Sequence, residues 1–143
     1  MSFGKFYRVE NEVREAFVGK ISKSEWYDGL GEIEIQNYES CDAEESIPAW
    51  VLALKKEESP LNLLFQGELR AEQNEYDDPE VVFLGKDLIQ SICLEFEAKG
   101  KPYFHSLLQG VNCLPDFWLY DSMVSFLNES AEDGEAVIIM WGG

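Results

Sequence analysis

The stretch PEVVFLGKDLIQSI, residues 79–92, decides the fold of this chain because a continuous apolar run is followed in it by a helical periodicity. Its first part, EVVFL, is a short apolar run typical of a strand, and Gly85 ends it. From Lys86 to Lys99 apolar residues recur at spacings of three and four, which predicts an amphipathic helix closed by Gly100. The apolar positions of that helix are Leu88, Ile89, Ile92, Cys93 and Phe96. The passage therefore predicts a buried strand that leads directly into a helix.

Two further helices are predicted on the N-terminal side of this stretch. In SIPAWVLALKK, Pro48 stands near a helix start, where its missing N–H has no cost. In SPLNLLFQG, Ser59 is a candidate cap, Pro60 takes the first helical position and Gly67 follows the last. The second of these is the clearest local helix signal in the chain.

The first 35 residues mix strand and helix signals. GKFYRV has aromatic and β-branched residues at the density of a strand, and Asn11 then predicts the N-cap of a helix that contains Val13 and Phe17. SKSEWYDG predicts a second short helix. Ile33 and Ile35 alternate with glutamates, a pattern typical of either a half-buried strand or an extended loop.

The C-terminal part predicts two helices and a final strand. Pro102 to Leu108 reads as a helix ended by Gly110, and Pro115 opens a longer helix. AVIIMW predicts a strand that is buried on both faces or an edge strand covered by its neighbours. The predicted fold is α+β, a single domain over residues 1–143 with about six helices packed on a small sheet of about three or four strands.

The charge of the chain is strongly negative and unevenly placed. The formal net charge is −17, and residues 31–80 carry fourteen carboxylates against Lys55, Lys56 and Arg70. Nucleic-acid affinity comes largely from Lys and Arg side chains that displace counterions, so this field opposes binding to nucleic acid or to an anionic membrane. No run approaches the roughly 20 apolar residues of a membrane span, and MSFGKFYRVE lacks the apolar segment of a secretory signal. We therefore expect a cytoplasmic protein.

The reactive side chains show no catalytic pattern. Cys41, Cys93 and Cys113 are not spaced as CxxC, and free thiols are expected in a chain without an export signal. Carboxylates around Cys41 should raise the pKa of its thiol, the reverse of what a nucleophile needs. His105 could act as a general base, but no motif surrounds it and helical spacing places it beside core aromatics. We expect no catalytic residue.

Metal and phosphate sites are not indicated either. NEYDDPE, residues 74–80, supplies oxygen ligands but lacks the glycine and glutamate spacing of an EF-hand loop. GLGEI, residues 29–33, lacks the Lys-Ser/Thr of a P-loop and the Rossmann spacing. One histidine and three scattered cysteines show none of the usual zinc spacings. No cofactor and no metal are expected.

Aromatic side chains are interleaved with the acidic segments. ESCDAEESIP, residues 39–48, alone holds four carboxylates and no basic side chain. Rings supply desolvated contact at protein interfaces, while charges of one sign accelerate encounter with a basic partner. The alternative is a solvated, solubilising surface without a partner. The predicted partner-binding residues are the carboxylates Glu39, Asp42, Glu44, Glu45, Glu75, Asp77 and Asp78 and the aromatic anchors Trp26, Tyr38 and Tyr76.

Four features follow one another along most of the chain: FYRV before a glutamate-rich helix, Trp50 before LNLLFQG, the passage PEVVFLGKDLIQSI, and a closing helix with the strand GEAVIIMW. This order resembles the YfbM-like family of small bacterial proteins of unknown function. The resemblance implies an α/β domain and offers no active site to carry over. By size and acidity the chain is also similar to the immunity proteins that bacteria make against their own toxins, many of which are basic nucleases.

Two functions stay open at this point. The leading hypothesis is a non-enzymatic acidic protein that binds a basic protein, such as a nuclease-type toxin, and neutralises it by covering its active site. The alternative is a small YfbM-like enzyme or ligand-binding domain whose pocket uses His105, Tyr103 and neighbouring acids. A deep pocket at His105 would favour the alternative. A shallow acidic face with exposed aromatics would favour inhibition.

Overall fold

The computed structural model of the chain describes residues 3–20, 25–26, 30, 39–70 and 79–142. In these ranges five strands form one antiparallel sheet in the order β2-β1-β5-β4-β3. The strands are β1 (Phe3–Val9), β2 (Ser40–Asp42), β3 (Leu69–Arg70), β4 (Glu80–Leu84) and β5 (Ala136–Gly142). The two shortest strands, β2 and β3, form the edges of this sheet.

Four α-helices lie wholly within the described ranges, and Glu25, Trp26 and Leu30 are also helical. The four helices are α1 (Ile47–Leu54), α2 (Lys86–Lys99), α3 (Lys101–Gly110) and α4 (Leu119–Glu132). Three short 3₁₀ helices accompany them: Asn11–Ala16, Leu61–Leu63 and Leu114–Trp118. The α+β class is therefore confirmed, but the sheet has more strands than predicted. At the three places where helices were predicted to begin near Asn11, Ser59 and Pro115, the chain forms short 3₁₀ helices.

The central strand β5 is buried on both faces, which is the first of the two arrangements predicted for AVIIMW. Val137, Ile139 and Trp141 face the larger core, which contains residues from all four α-helices. Ala136 and Ile138 face a smaller core on the opposite side of the sheet, with Phe17, Trp26 and Leu30. Because side chains alternate along a strand, a continuous apolar run fits a strand covered on both sides. Burying each of its larger side chains contributes about 1.5–3 kcal/mol.

The passage from β4 into α2 forms as predicted. β4 ends at Leu84, and α2 begins at Lys86 and ends at Lys99, with Gly100 at φ 81°. Gly85, in the N-cap position of α2, has no side chain to cap the helix, and the Oδ1 of Asn11 accepts a hydrogen bond from the Lys86 N–H at 3.0 Å instead. The prediction that Asn11 caps its own helix is therefore wrong. Its side chain caps a helix 75 residues away in sequence.

The segment SPLNLLFQG does not form the predicted α-helix. Only Leu61–Leu63 is helical, as one 3₁₀ turn, and the Ser59 hydroxyl bonds the Asn62 side chain. Leu61, Leu64 and Phe65 are buried in the larger core, and they reach it from successive turns rather than from one helix face. Gly67, at φ 72°, then leads the chain into β3. The predictions for SKSEWYDG, apart from Glu25 and Trp26, and for Ile33 and Ile35 lie outside the described residues.

Replacing Gly67 by alanine should destabilise the fold more than the same change at Gly134. Both residues have positive φ, 72° and 65°, so alanine strains each backbone by about 1 kcal/mol. A Cβ at Gly67 would also lie 2.8 Å from the Cβ of Val82 and 2.9 Å from the carbonyl oxygens of Leu69 and Phe83. We expect Gly67→Ala to lower the free energy of unfolding by about 2 kcal/mol and Gly134→Ala by about 1 kcal/mol. Urea denaturation measures both, and equal losses would contradict the overlap argument.

Candidate functional site

An open groove lies between the edge strand β2 and the helix α4, and we call it the β2–α4 groove. Its volume is about 540 Å³. The lining residues are Ser40, Cys41, Asp42, Glu44, Trp118, Ser122, Ser125, Phe126 and Glu129. The groove thus combines carboxylates, hydroxyl groups and two aromatic rings on one surface.

The acidic side of the groove comes from the end of β2 and from α4. Asp42 and Glu44 are exposed, and the Asp42 carboxylate accepts a hydrogen bond from the Glu44 N–H at 2.9 Å. Glu44 has φ 49°, which turns the chain sharply after β2. Glu129 on α4 is the third carboxylate of the lining. No basic side chain lines this groove among the described residues.

Trp118 is the exposed ring of the groove and is held in a fixed position. Its side chain is 49% exposed, yet its indole Nε1 donates a hydrogen bond to the Ser46 hydroxyl at 2.8 Å. Ser46 is buried, and its hydroxyl donates in turn to the Asp116 carboxylate at 2.8 Å. The neighbouring Trp50 ties the same segment to α1, because its Nε1 donates to the Asp116 carbonyl at 3.0 Å. A large apolar ring is therefore presented to solvent with its polar atom already bonded.

One arginine holds the carboxylates at the end of the groove together. The Arg8 guanidinium contacts Glu39 at 3.0 Å, Glu135 at 3.1 Å and Glu129 at 3.8 Å, and it also pairs with Asp133. The Arg8 side chain is only 12% exposed, whereas Glu39 is 73% exposed. Four carboxylates around one guanidinium leave a local net charge of −3. Arg8 thus holds these four carboxylates in place, and the surface around it remains negatively charged.

The predicted partner-binding residues are only partly placed by the structure. Asp42 and Glu44 line the groove, Glu39 joins it through Arg8, and Glu45 is exposed just beyond them. Trp26 is not available as an anchor: it is 1% exposed, packs against Phe17 and donates its N–H to a backbone carbonyl. Its apolar neighbours place it in the smaller core, which corrects that prediction. Glu75, Asp77, Asp78, Tyr38 and Tyr76 lie outside the described residues.

Sequence reasoning missed the other half of the site. Trp118, Glu129, Asp133 and Glu135 come from the C-terminal third of the chain, where the charge is less dense than in residues 31–80. The spacing of Glu129 and Asp133, four residues apart at the C-terminal end of α4, was an available signal, since such residues share a helix face. Nothing in the sequence indicated that this face would meet β2.

Burial disfavours the thiolate form of two cysteines, Cys41 and Cys93. Burial raises the pKa of the Cys41 thiol, a hydrogen bond with Ser122 opposes that shift, and the Asp42 carboxylate adds to it. The predicted direction is confirmed, although burial rather than neighbouring charge is the main cause. Cys93 packs against the larger core, and burial raises the pKa of its thiol to about 11. All three cysteines are free.

The raised pKa of Cys93 predicts a loss of stability at alkaline pH. A thiol with an ordinary pKa of 9.0 in the unfolded chain and about 11 in the fold stabilises the folded state below pH 9. That contribution is lost as the pH rises toward 11, because only the unfolded chain can ionise the thiol freely. We expect the wild type to lose more stability than Cys93→Ala over this range, as measured by urea denaturation at each pH. Parallel pH profiles would contradict the assignment.

His105 is exposed on α3, and its ring meets Phe117 edge-on at 5.2 Å between centroids. It does not line the β2–α4 groove. Among the described residues, no three or more His, Cys, Asp or Glu side chains are grouped so that they could hold a metal ion. In those same ranges, the helices are all too short or too polar to span a membrane.

The architecture defines the chain as an α+β domain with a five-stranded antiparallel sheet in its described part. No protein-family model matches the chain, and no curated protein matches its sequence. In structure, the chain is similar to the crystal structure of YfbM from Escherichia coli, a protein of unknown function. The TM-score is 0.64 with 11% sequence identity, and the match covers 97% of this chain and 99% of that chain. The YfbM-like resemblance is thus confirmed for the fold.

Proposed function

We propose that this chain is a non-enzymatic acidic protein that binds a basic protein partner through the β2–α4 groove. The observation that carries the proposal is Trp118, a half-exposed ring fixed by Ser46 beside the carboxylates of Asp42 and Glu44. Exposed tryptophans are rare on surfaces without a function and common at the centres of protein interfaces. Because the charges around this ring are negative, the partner's surface should be positively charged.

The groove suits an arginine or lysine side chain in two ways. A guanidinium above the Trp118 ring would gain a cation–π contact, which contributes about 0.5–2 kcal/mol depending on desolvation. The same group would donate charge-assisted hydrogen bonds to Asp42 or Glu129. The Ser46 hydroxyl already holds the Trp118 ring, and Arg8 contacts Glu129 at 3.8 Å. These two side chains therefore lose less entropy on binding than free ones would.

The more specific form of the proposal is an immunity protein that covers the active site of a nuclease-type toxin. Such an active site is basic because it binds phosphates, and the net charge of −17 complements it. Carboxylates presented in a row can occupy the positions of the phosphates. Steering by this field would raise the association rate by about 10- to 1,000-fold over an uncharged pair.

The alternative of a pocket at His105 has less support from the described geometry. The imidazole is exposed, and its neighbour Tyr103 donates its hydroxyl to Glu57 at 2.5 Å. That bond, followed by burial, raises the pKa of the Tyr103 hydroxyl, so the group is less ready to act as a base. We therefore retain the binding function as the conclusion.

The test is a titration of the isotope-labelled chain with an oligo-arginine peptide and with the basic nuclease domain, if any, encoded beside its gene. We expect the Trp118 indole N–H resonance to shift with the peptide, and we expect the nuclease to be inhibited. Reversing Asp42, Glu44 and Glu129 to lysine together should weaken both interactions by about 100-fold or more. Raising the salt concentration should slow association steeply.

The control is a variant with the same change in net charge elsewhere, in which Glu58, Glu95 and Glu97 become lysine. These residues lie outside the groove. If the control weakens binding as much as the groove variant does, the attraction depends on total charge and the groove is not the binding site. Binding that is indifferent to both variants would exclude the charge argument altogether.

A further inference from the structure

A second pocket lies on the helix-covered side of the sheet, at the opposite end of the strand order from β2. Its volume is about 360 Å³, near the lower end of the range for small-molecule sites. We call it the β5–α1 pocket. Its lining residues are Val51, Leu54, Lys55, Leu61, Asn62, Phe65, Gln66, Arg70 and Trp141.

The floor of the pocket is apolar and rigid. Leu54, Leu61 and Phe65 are buried core residues, and Phe65 meets Trp141 edge to face at 5.9 Å between ring centroids. These residues come from α1, from the segment around the Leu61–Leu63 turn and from β5, so three elements of the larger core fix the shape. A planar or aliphatic group would find complementary walls here.

The rim of the pocket is polar and includes two basic side chains. Residues 31–80 contain three basic side chains against fourteen carboxylates, and two of the three, Lys55 and Arg70, line this pocket. Asn62 and Gln66 add two carboxamides, which donate and accept hydrogen bonds.

The two cations retain capacity for a ligand. Arg70 uses its Nη2 for Glu80 at 3.2 Å, and a guanidinium has five N–H donors, so this contact does not exhaust it. Lys55 carries three further donors on a flexible stem. These two groups would attract an anion, whereas the acidic residues elsewhere on the surface would repel it. An anion should therefore bind at this pocket rather than elsewhere on the protein.

We propose that the β5–α1 pocket binds a small organic acid, a molecule with an apolar body and one carboxylate. The apolar body lies against Phe65 and Trp141, and the carboxylate accepts hydrogen bonds from Arg70 and Lys55. The carboxamides of Asn62 and Gln66 orient further polar atoms of the ligand. This site is independent of the β2–α4 groove and of any protein partner bound there, because the two share no lining residue.

The test uses matched pairs of acid and amide: phenylacetate with phenylacetamide, and hexanoate with hexanamide. Each is titrated into the isotope-labelled chain up to about 10 mM, since ligands of this size bind at about millimolar affinity. We expect at least one acid to shift the Trp141 indole N–H resonance. Its amide should bind about 10-fold more weakly or not at all.

Substitutions separate this pocket from general attraction of anions. Arg70→Gln and Lys55→Gln should each weaken binding of the acid about 5- to 10-fold. Lys56→Gln is the matched control, because it removes the same charge from the next residue, which does not line the pocket. This variant should bind the acid with the affinity of the wild type. Equal binding of acid and amide, equal effects of all three substitutions, or no shift of Trp141 with either acid would overturn the proposal.

Discussion

Replacing Trp118 by alanine should weaken binding of a basic protein partner by about 30- to 1,000-fold, which corresponds to about 2–4 kcal/mol. Of the two aromatic rings among the described lining residues of the β2–α4 groove, Trp118 is the half-exposed one, and it shares that lining with the carboxylates that attract the partner. Losing it removes the desolvated contact and the cation–π contribution together. Calorimetric titration with the partner, and with an oligo-arginine peptide as a simpler probe, measures the effect.

Two further variants test whether binding depends on the indole ring of Trp118 in particular, or on any exposed aromatic ring. Trp118→Phe keeps an aromatic surface but cannot donate the hydrogen bond to Ser46. We therefore expect its affinity for the partner to lie between those of the wild type and the alanine variant. Tyr103→Ala removes an exposed ring outside the groove and should leave affinity unchanged. Unchanged binding by the Trp118→Ala variant, with its thermal unfolding intact, would remove Trp118 from the interface.

Local patterns predicted the elements that are long and fully covered. Continuous apolar runs mark the strand of residues 80–84 and the final strand, and a helical periodicity marks the helix Lys86–Lys99. Each of these elements forms within a residue or two of its predicted bounds. Strands β2 and β3 have three and two residues, too few to show any alternation. They exist because β1 and β4 offer unpaired edges, which is tertiary information.

The candidate site was harder to predict because it joins segments that are far apart in sequence. The run at residues 39–45 supplies Asp42 and Glu44, which the charge distribution indicated correctly as an acidic segment. Its counterparts are Trp118 and Glu129, and only the contact of β2 with α4 brings them together. Trp26 shows the opposite error: a ring beside charged residues in sequence is buried, because it packs against Phe17 in the smaller core.

Replacing Arg8 by glutamine should lower the free energy of unfolding by about 3 kcal/mol. The guanidinium is nearly buried and compensates Glu39, Glu129, Asp133 and Glu135 at once, so its removal leaves four carboxylates that repel one another. The four carboxylates are themselves between 34% and 73% exposed, so water screens part of that repulsion. For that reason we place the loss at the lower end of the range for breaking a buried ion pair, about 3–5 kcal/mol.

Salt separates this mechanism from a simple loss of packing. Repulsion between partly exposed carboxylates is screened at about 1 M salt, where the Debye length falls to about 3 Å, so the difference between Arg8→Gln and wild type should narrow as salt rises. Arg14→Gln is the matched control, because Arg14 makes an exposed pair with Glu68 and its loss should change stability little. Urea denaturation at low and high salt measures all three proteins. A difference that stays constant with salt would mean that Arg8 stabilises the fold through its aliphatic stem, and the ordered acidic surface would then have another origin.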